Sequence, residues 1–242
     1  MCHLLYEAAK KYEADVVYGG IFYADGEKIK ESKVVTKERV WKGKQEVKDL
    51  LLDFIATEPN EKKDTIMEVS VWKALFRKKV FDEYDISFVS ERQFISEDVI
   101  FDIDYLSKCN CVVAIPEPVY FYCVNPNSLS KVFRTDRFNK VKKLYKEIIK
   151  KLIPIYGEEV SNRRGDRFLI ARARTNARQI IRHEKIIGKN KMMKALHNIC
   201  EDQDMNEIFQ RYPIHLLPLK YRLVAYLMKY RCYHLLKIIL GR

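Results

Sequence analysis

Glu97 and Asp98 follow Ser96 and open an apolar run, Val99-Ile100-Phe101. A hydroxyl, two acids and then apolar residues is the signature of a helix start. The positive end of a helix dipole favours the ionised form of a carboxylate placed there. A carboxylate of low pKa is a poor base toward a resting alcohol, but it suffices if the hydroxyl acidifies as it bonds to an electrophilic carbon. The same two acids would cap a helix without any activity, and the residues alone favour that plainer role. A second cluster, Trp72, Lys73 and Arg77, offers a flat apolar face and two cations able to meet phosphate. Trp72 with Leu75 and Phe76 also has the spacing of an ordinary buried helix face. Tyr120 and Tyr122 fall on one face of a strand, where they would either line a site or serve as structural tyrosines. Ser128 and Ser130 lie in a loop and equally suit a loop cap.

Several other patterns carry little. Asp102-Ile103-Asp104 spells a two-acid metal motif but falls within the expected helix, where positions i and i+2 point apart. Asp202-Gln203-Asp204 lies at an acidic helix end. His3, His183, His197, His215 and His234 lack ligand spacing, and no metal site is assigned in this chain. No Gly-rich phosphate loop occurs. The six cysteines are scattered without a C-x-x-C pair, which fits reduced thiols of a cytosolic protein, with pairing of two of them in an oxidising compartment as the alternative.

The elements that must hold these residues follow from composition and periodicity. The chain has 242 residues, 48% apolar and 32% charged, with 8 Gly and 7 Pro. That composition excludes disordered, collagen-like and turn-rich all-β chains. Leu4, Leu5, Ala8, Ala9 and Tyr12 recur at helical spacing, so the chain opens inside an amphipathic helix; Asp15 to Tyr23 reads as a strand, and Ala24-Asp25-Gly26 as a turn before a returning strand at Lys33 to Thr36. Gln45 to Ala56 reads as a helix ended by Glu58-Pro59-Asn60. Ile86 to Val89 alternates like a strand, and the helix from Ser96 runs to about Ser107. Cys111 to Ile115 and Val119 to Val124 read as two strands separated by Pro116-Glu117-Pro118. Cationic helices over 136–153, 158–187, 189–200 and 219–240 fill the rest. The fold class is α/β, a mixed sheet with flanking helices, followed by an α-helical C-terminal region.

Charge divides the chain in the same place. Residues 1–130 carry 18 Lys and Arg against 23 Asp and Glu; residues 131–242 carry 27 against 10. After Glu207 there is no acidic residue, and aromatics interleave with the Lys and Arg. Such a tail suits an anionic membrane surface, although Arg222 and Lys229 share a helix face while Lys220 and Arg231 point the opposite way. Packing of these helices onto the rest of the protein is the plainer alternative. Arg163, Arg164, Arg167, Arg172, Arg174, Arg178 and Arg182 would also meet nucleic-acid phosphates. No nucleic-acid-binding signature accompanies them, so a basic helical nucleic-acid-binding or interaction protein stands as the rival reading. The start has no cationic segment followed by an apolar run, hence no signal peptide, and no apolar stretch reaches membrane-span length.

Taken in order, Val71-Trp72-Lys73-Ala74-Leu75-Phe76-Arg77-Lys78, Ile86-Ser87-Phe88, Ser96-Glu97-Asp98-Val99-Ile100-Phe101, Val119-Tyr120-Phe121-Tyr122 and Asn127-Ser128-Leu129-Ser130 resemble the bacterial family 2 glycosyltransferases of the GT-A fold. The resemblance spans about 60 residues, and Met1 to Tyr23 is similar to the family's segment just after its metal-binding acids. It implies that residues 1–130 are the acceptor-side half of a GT-A-like domain and 131–242 a basic helical extension. It also implies that the nucleotide-binding half with its Asp-x-Asp motif lies upstream, so that the isolated chain turns over little. The implied activity is inverting transfer of a sugar from a nucleotide sugar to a cell-surface polysaccharide or lipid-linked glycan, peripheral to the cytoplasmic face of the membrane. The family's general base falls on Asp98, with Glu97 orienting the site and Trp72, Lys73, Tyr122 and Ser128 near the acceptor. A divalent ion, Mg or Mn, is expected of the full-length enzyme. Where the family often carries a basic residue, after the second tyrosine, this chain has Cys123.

Overall fold

The computed structural model describes residues 1–67, 70–125, 134 and 136–241. The chain divides into two compact units. The first comprises Met1–Phe54, Met67–Glu91 and Ser96–Lys131; the second comprises Ile55–Ile66, Arg92–Ile95 and Val132–Arg242.

The first unit is a five-stranded mixed sheet with helices. Its elements are α1 (Cys2–Tyr12), β1 (Val16–Asp25), β2 (Lys28–Ser32), β3 (Arg39–Lys42), α2 (Lys44–Ile55), a 3-10 turn at Val71–Lys73, β4 (Ala74–Phe76), α3 (Lys78–Tyr84), α4 (Glu97–Leu106) and β5 (Cys111–Cys123). The strand order is β2-β1-β5-β3, and β4 pairs with the first residues of β1. Only β1 and β5 run parallel; the other pairings are antiparallel. Val16, Val17 and Tyr18 of β1 and Val112, Val113 and Ala114 of β5 have no exposure, so the two central strands carry the core. Leu5 and Ala8 bring the apolar stripe of α1 onto Val17, Val113 and Ile115.

Four expectations for this unit need correction. The strand returning from β1 is Lys28–Ser32, joined by a two-residue turn in which Gly26 has φ 59°, a conformation glycine adopts without Cβ strain. Its residues are largely exposed, so the hydrophobic alternation that marks a half-buried strand never develops. β3 was not anticipated, being only four residues long, two of them charged. Ile86 to Val89 forms no strand; Phe88 instead lies flat on Phe101, with centroids 4.2 Å apart, so its apolar residues pack a loop. Cys111 to Cys123 is one strand, not two. Tyr18 pairs with Ala114 and Gly20 with Pro118, so β5 spends four residues where β1 spends two, and the bulge absorbs the two prolines. Gly20 makes this possible: a Cβ there would stand 2.8 Å from the Ser32 carbonyl oxygen and 3.3 Å from Pro118 Cα.

The second unit is helical, with α5 (Arg137–Arg182), α6 (Glu184–Ile187), α7 (Lys189–Cys200), α8 (Gln203–Arg211), a 3-10 turn at Ile214–Leu216, α9 (Leu219–Lys229) and α10 (Tyr233–Gly241). α5 is interrupted at Gly157 (φ 77°, ψ 171°), three residues after Pro154, which is the break expected between 153 and 158. The expected helix over 219–240 is two helices, because Arg231 turns the chain at φ 58°. The expected helix over 158–187 likewise ends at Arg182. α8 was missed although its signal is present, since the Asp202 carboxylate caps it by accepting from the Met205 N–H at 3.3 Å. All six cysteines are free; Cys109, Cys111 and Cys200 are buried, and burial raises the pKa of each. Among the described residues no helix is long and apolar enough to cross a membrane.

Candidate active site

The antiparallel pairing of β4 with β1 fixes the 3-10 turn before β4 beside the N-terminus of α4. Asp98, in the first turn of α4, accepts a hydrogen bond from the Val71 backbone N–H and one from its own N–H. Its carboxyl pKa nevertheless lies above the ordinary value, because burial and the neighbouring Glu97 charge outweigh those two hydrogen bonds. The sequence reading expected the opposite direction. A helix dipole acts over one turn on an exposed group, whereas Asp98 is half-buried beside a like charge, and both conditions disfavour the anion. The raised pKa makes Asp98 a better base than its helix-end position alone predicts. Ser96 also departs from expectation: its hydroxyl makes no cap, and the residue sits in the left-handed region at φ 60°. That is a conformation a non-glycine residue adopts at a cost of about 1–3 kcal/mol.

Trp72 leads directly into the turn that Asp98 grips. Its indole packs against Tyr120 (centroids 4.5 Å apart) and Tyr122 (5.6 Å, planes 29° apart). Tyr120 and Tyr122 project from one face of β5, as the strand period requires, and Tyr120 stays 37% exposed. The expected Trp72, Leu75 and Phe76 helix face does not exist, since those residues belong to the 3-10 turn and β4. Three half-open aromatic rings form a wall, and such flat apolar faces suit the C–H surfaces of a pyranose.

Lys73 and Arg77 do not join that wall. Lys73 is 3% exposed and its charge acts inward on Asp102. Arg77 donates to the carbonyls of Glu13 and Ala14 and pairs with Asp15 at 3.3 Å, tying α1 to β4. Ser128 lies outside the described residues, as does Ser130.

Asp102 is the residue whose importance the sequence did not reveal. Dismissed as half of a metal motif, it lies one turn below Asp98 on the same face of α4 and has no exposure. The Tyr18 hydroxyl donates to its Oδ1 at 3.0 Å, while Oδ2 is buried without a hydrogen-bond partner. Burial is the main reason its pKa is pushed up to about 8; the Asp98 charge adds to the rise, and the Tyr18 hydrogen bond and the Lys73 charge oppose it. At neutral pH Asp102 is therefore mostly a neutral acid, which leaves the Asp98 carboxylate without a second full charge beneath it. The i, i+4 spacing of Asp98 and Asp102 was the available signal.

Among the described residues no group of three or more His, Cys, Asp or Glu is placed to hold an ion. Asp102 is committed to Tyr18, and Asp202 and Asp204 pair with Lys142 at 2.5 and 3.5 Å. The basic arginines of α5 are similarly engaged. Arg163 and Arg164 meet Glu58, Arg167 and Arg174 meet Asp64, and Tyr221 lies under the Arg174 guanidinium at 3.8 Å. Four of the seven arginines offered to nucleic acid thus hold the segment 55–66 against α5.

The fold is a partial GT-A-like mixed sheet with a helical C-terminal region. Among solved structures the chain is similar to that of S. aureus TarS residues 1–349 in complex with UDP-GlcNAc, with a TM-score of 0.56 and 13% identity. The match covers 99% of this chain and 63% of that one, so this sequence spans under two thirds of its neighbour's length. The likeness is one of fold. No family model matches the chain, and no curated protein does.

Proposed function

We propose that this chain carries the acceptor side of an inverting glycosyltransferase of the family 2 type. The carrying observation is the junction at Val71: one backbone N–H holds the Asp98 carboxylate, and the next residue, Trp72, builds an aromatic wall with Tyr120 and Tyr122. In the reaction the acceptor hydroxyl oxygen forms a bond to the anomeric carbon as the bond to the diphosphate oxygen breaks. The leaving diphosphate takes that electron pair, and Asp98 takes the hydroxyl proton. Glu97 orients the acceptor and, by its charge, keeps Asp98 basic. The acceptor is a cell-surface polysaccharide or lipid-linked glycan, whose saccharide face rests on the wall. Lys73 is buried and belongs to the support of Asp102, not to the acceptor.

The neighbour's bound UDP-GlcNAc supports a nucleotide-sugar donor. The residues that grip its diphosphate, and any divalent ion, are proposed to lie in a nucleotide-binding half outside this sequence, in keeping with the 63% of the neighbour's chain that the match covers. The test is sugar transfer by the chain joined to such a half, with Asp98→Asn beside the unaltered protein. Loss of turnover with retained folding supports the assignment, and full turnover removes Asp98 from it. On the chain alone, a glycan array probed before and after Trp72→Leu reads the acceptor wall directly.

A further inference from the structure

On α9 and its C-cap residue, Leu219, Leu223, Tyr226 and Tyr230 recur at i, i+4, i+7 and i+11. At roughly 100° per residue they fall within about 60° of arc. This stripe is not covered: Leu219 is 73% exposed, Leu223 46% and Tyr230 66%, and Leu216 in the preceding 3-10 turn adds 48%. The opposite face of the helix is the one that packs, with Val224, Ala225 and Met228 at 1% exposure or less. The two tyrosines lie parallel, 6.1 Å apart with planes at 15°, giving the stripe a flat end. Isolated apolar residues at a surface need no explanation, whereas a contiguous apolar stripe rimmed by charge marks a contact.

The rim is entirely cationic. Arg222 and Lys229 border one side of the stripe and Lys220 the other, which is what the divided placement of these residues around the helix amounts to. Arg222 keeps its guanidinium beside the His215 carbonyl, and Lys229 reaches the Phe209 carbonyl. The Arg222 guanidinium stays exposed at the edge of the stripe, while the part-buried Lys229 ammonium turns to the end of α8. No acidic residue occurs anywhere after Glu207.

We infer that α9 and the turn before it form a docking face for an anionic lipid surface, with Leu216, Leu219, Leu223 and Tyr230 entering the headgroup boundary. Charge selects this occupant. A second copy laid face to face would bring Arg222, Lys229 and Lys220 against their own kind with no acid to offset them, whereas an anionic bilayer supplies the opposite charge and accepts the apolar stripe. The inference does not rest on the glycosyl-transfer reading.

The experiment is flotation of the whole chain with phosphatidylcholine vesicles, with and without 30% phosphatidylglycerol (roughly the anionic content needed for a polybasic response). Binding is expected to anionic vesicles and to be at least about tenfold weaker with neutral ones. Leu219→Glu with Leu223→Glu should lower it by a similar factor, with an unchanged thermal midpoint because both residues are exposed. Lys220→Gln with Arg222→Gln should abolish the preference for anionic lipid while leaving some apolar attachment. No binding by the unaltered chain, or undiminished binding by the double glutamate variant, would overturn the inference. So would a lipid-independent dimer in sedimentation that the glutamate pair dissolves, since a second copy would then be the occupant.

Discussion

Asp166 in the helical unit and Asp102 in the sheet unit are almost equally inaccessible, at 2% and 0% exposure, and each receives a tyrosine hydroxyl. Beyond that they differ in every respect. Both Asp166 oxygens are met by Arg211, at 2.7 Å each, and Oδ1 also accepts from Tyr145 at 2.9 Å. Asp102 has Tyr18 on one oxygen and nothing on the other. The first arrangement neutralises a buried charge with an opposite one and locks α5 to α8. The second neutralises it by holding a proton, one helical turn from the part-exposed carboxylate of Asp98. A buried acid that is fully paired is architecture, and one left part-satisfied next to another titratable group is where chemistry is to be sought.

The largest test of that contrast is Asp98→Asn, which removes the proton acceptor while the architecture stands. Transfer by the protein supplied with its donor-binding half should fall by about 10²–10⁴-fold, measured as product formed per unit time, with an unchanged circular dichroism melt. In the helical unit, Arg211→Ala strands the Asp166 carboxylate and should cost about 3 kcal/mol of unfolding free energy in urea. A cost below 1 kcal/mol would show that the pair is not what holds α8.

Asp102→Asn should behave unlike either. The folded carboxyl titrates near 8 against an ordinary 3.8, so between those pH values the folded state binds more protons than the unfolded one. Stability from this group is then full below about pH 4 and declines as pH rises to about 8. Asparagine carries no proton to lose, so the variant's urea midpoint should lack that decline; near pH 4 it should match the unaltered protein to within about 1 kcal/mol, and it should become the more stable of the two as pH rises. An identical slope in both proteins would mean that Asp102 is ionised in the fold. The smallest effect is expected at the wall. Trp72→Leu keeps apolar volume but loses the ring faces, and saccharide binding should weaken by about 0.5–1.5 kcal/mol, read by calorimetry.

How much of this was legible in the sequence follows the same division. Helices with wide apolar stripes, α1, α2, α4 and α5, declare themselves because their burial is periodic. β2 and β3 do not, since one is exposed on both faces and the other is four residues long. The start of α4 and its two acids were readable from residue type alone. The direction of the Asp98 pKa was not, because burial belongs to the tertiary structure and a helix-end argument contains no information about it. Lys73 failed for the same reason: a lysine in a basic segment looks solvent-facing until its neighbours enclose it. Asp102 was in plain view as the i+4 partner of Asp98, but the pattern that attracted notice was its neighbour at i+2.

The cysteines have a practical use. Cys109, Cys111 and Cys200 are sealed in and hold their protons, whereas Cys123 is exposed on the residue after Tyr122. Successive strand residues face opposite ways, so Cys123 stands behind the aromatic wall. With Cys2 and Cys232 replaced by serine, a maleimide dye would attach there alone and report on saccharide occupancy without obstructing it.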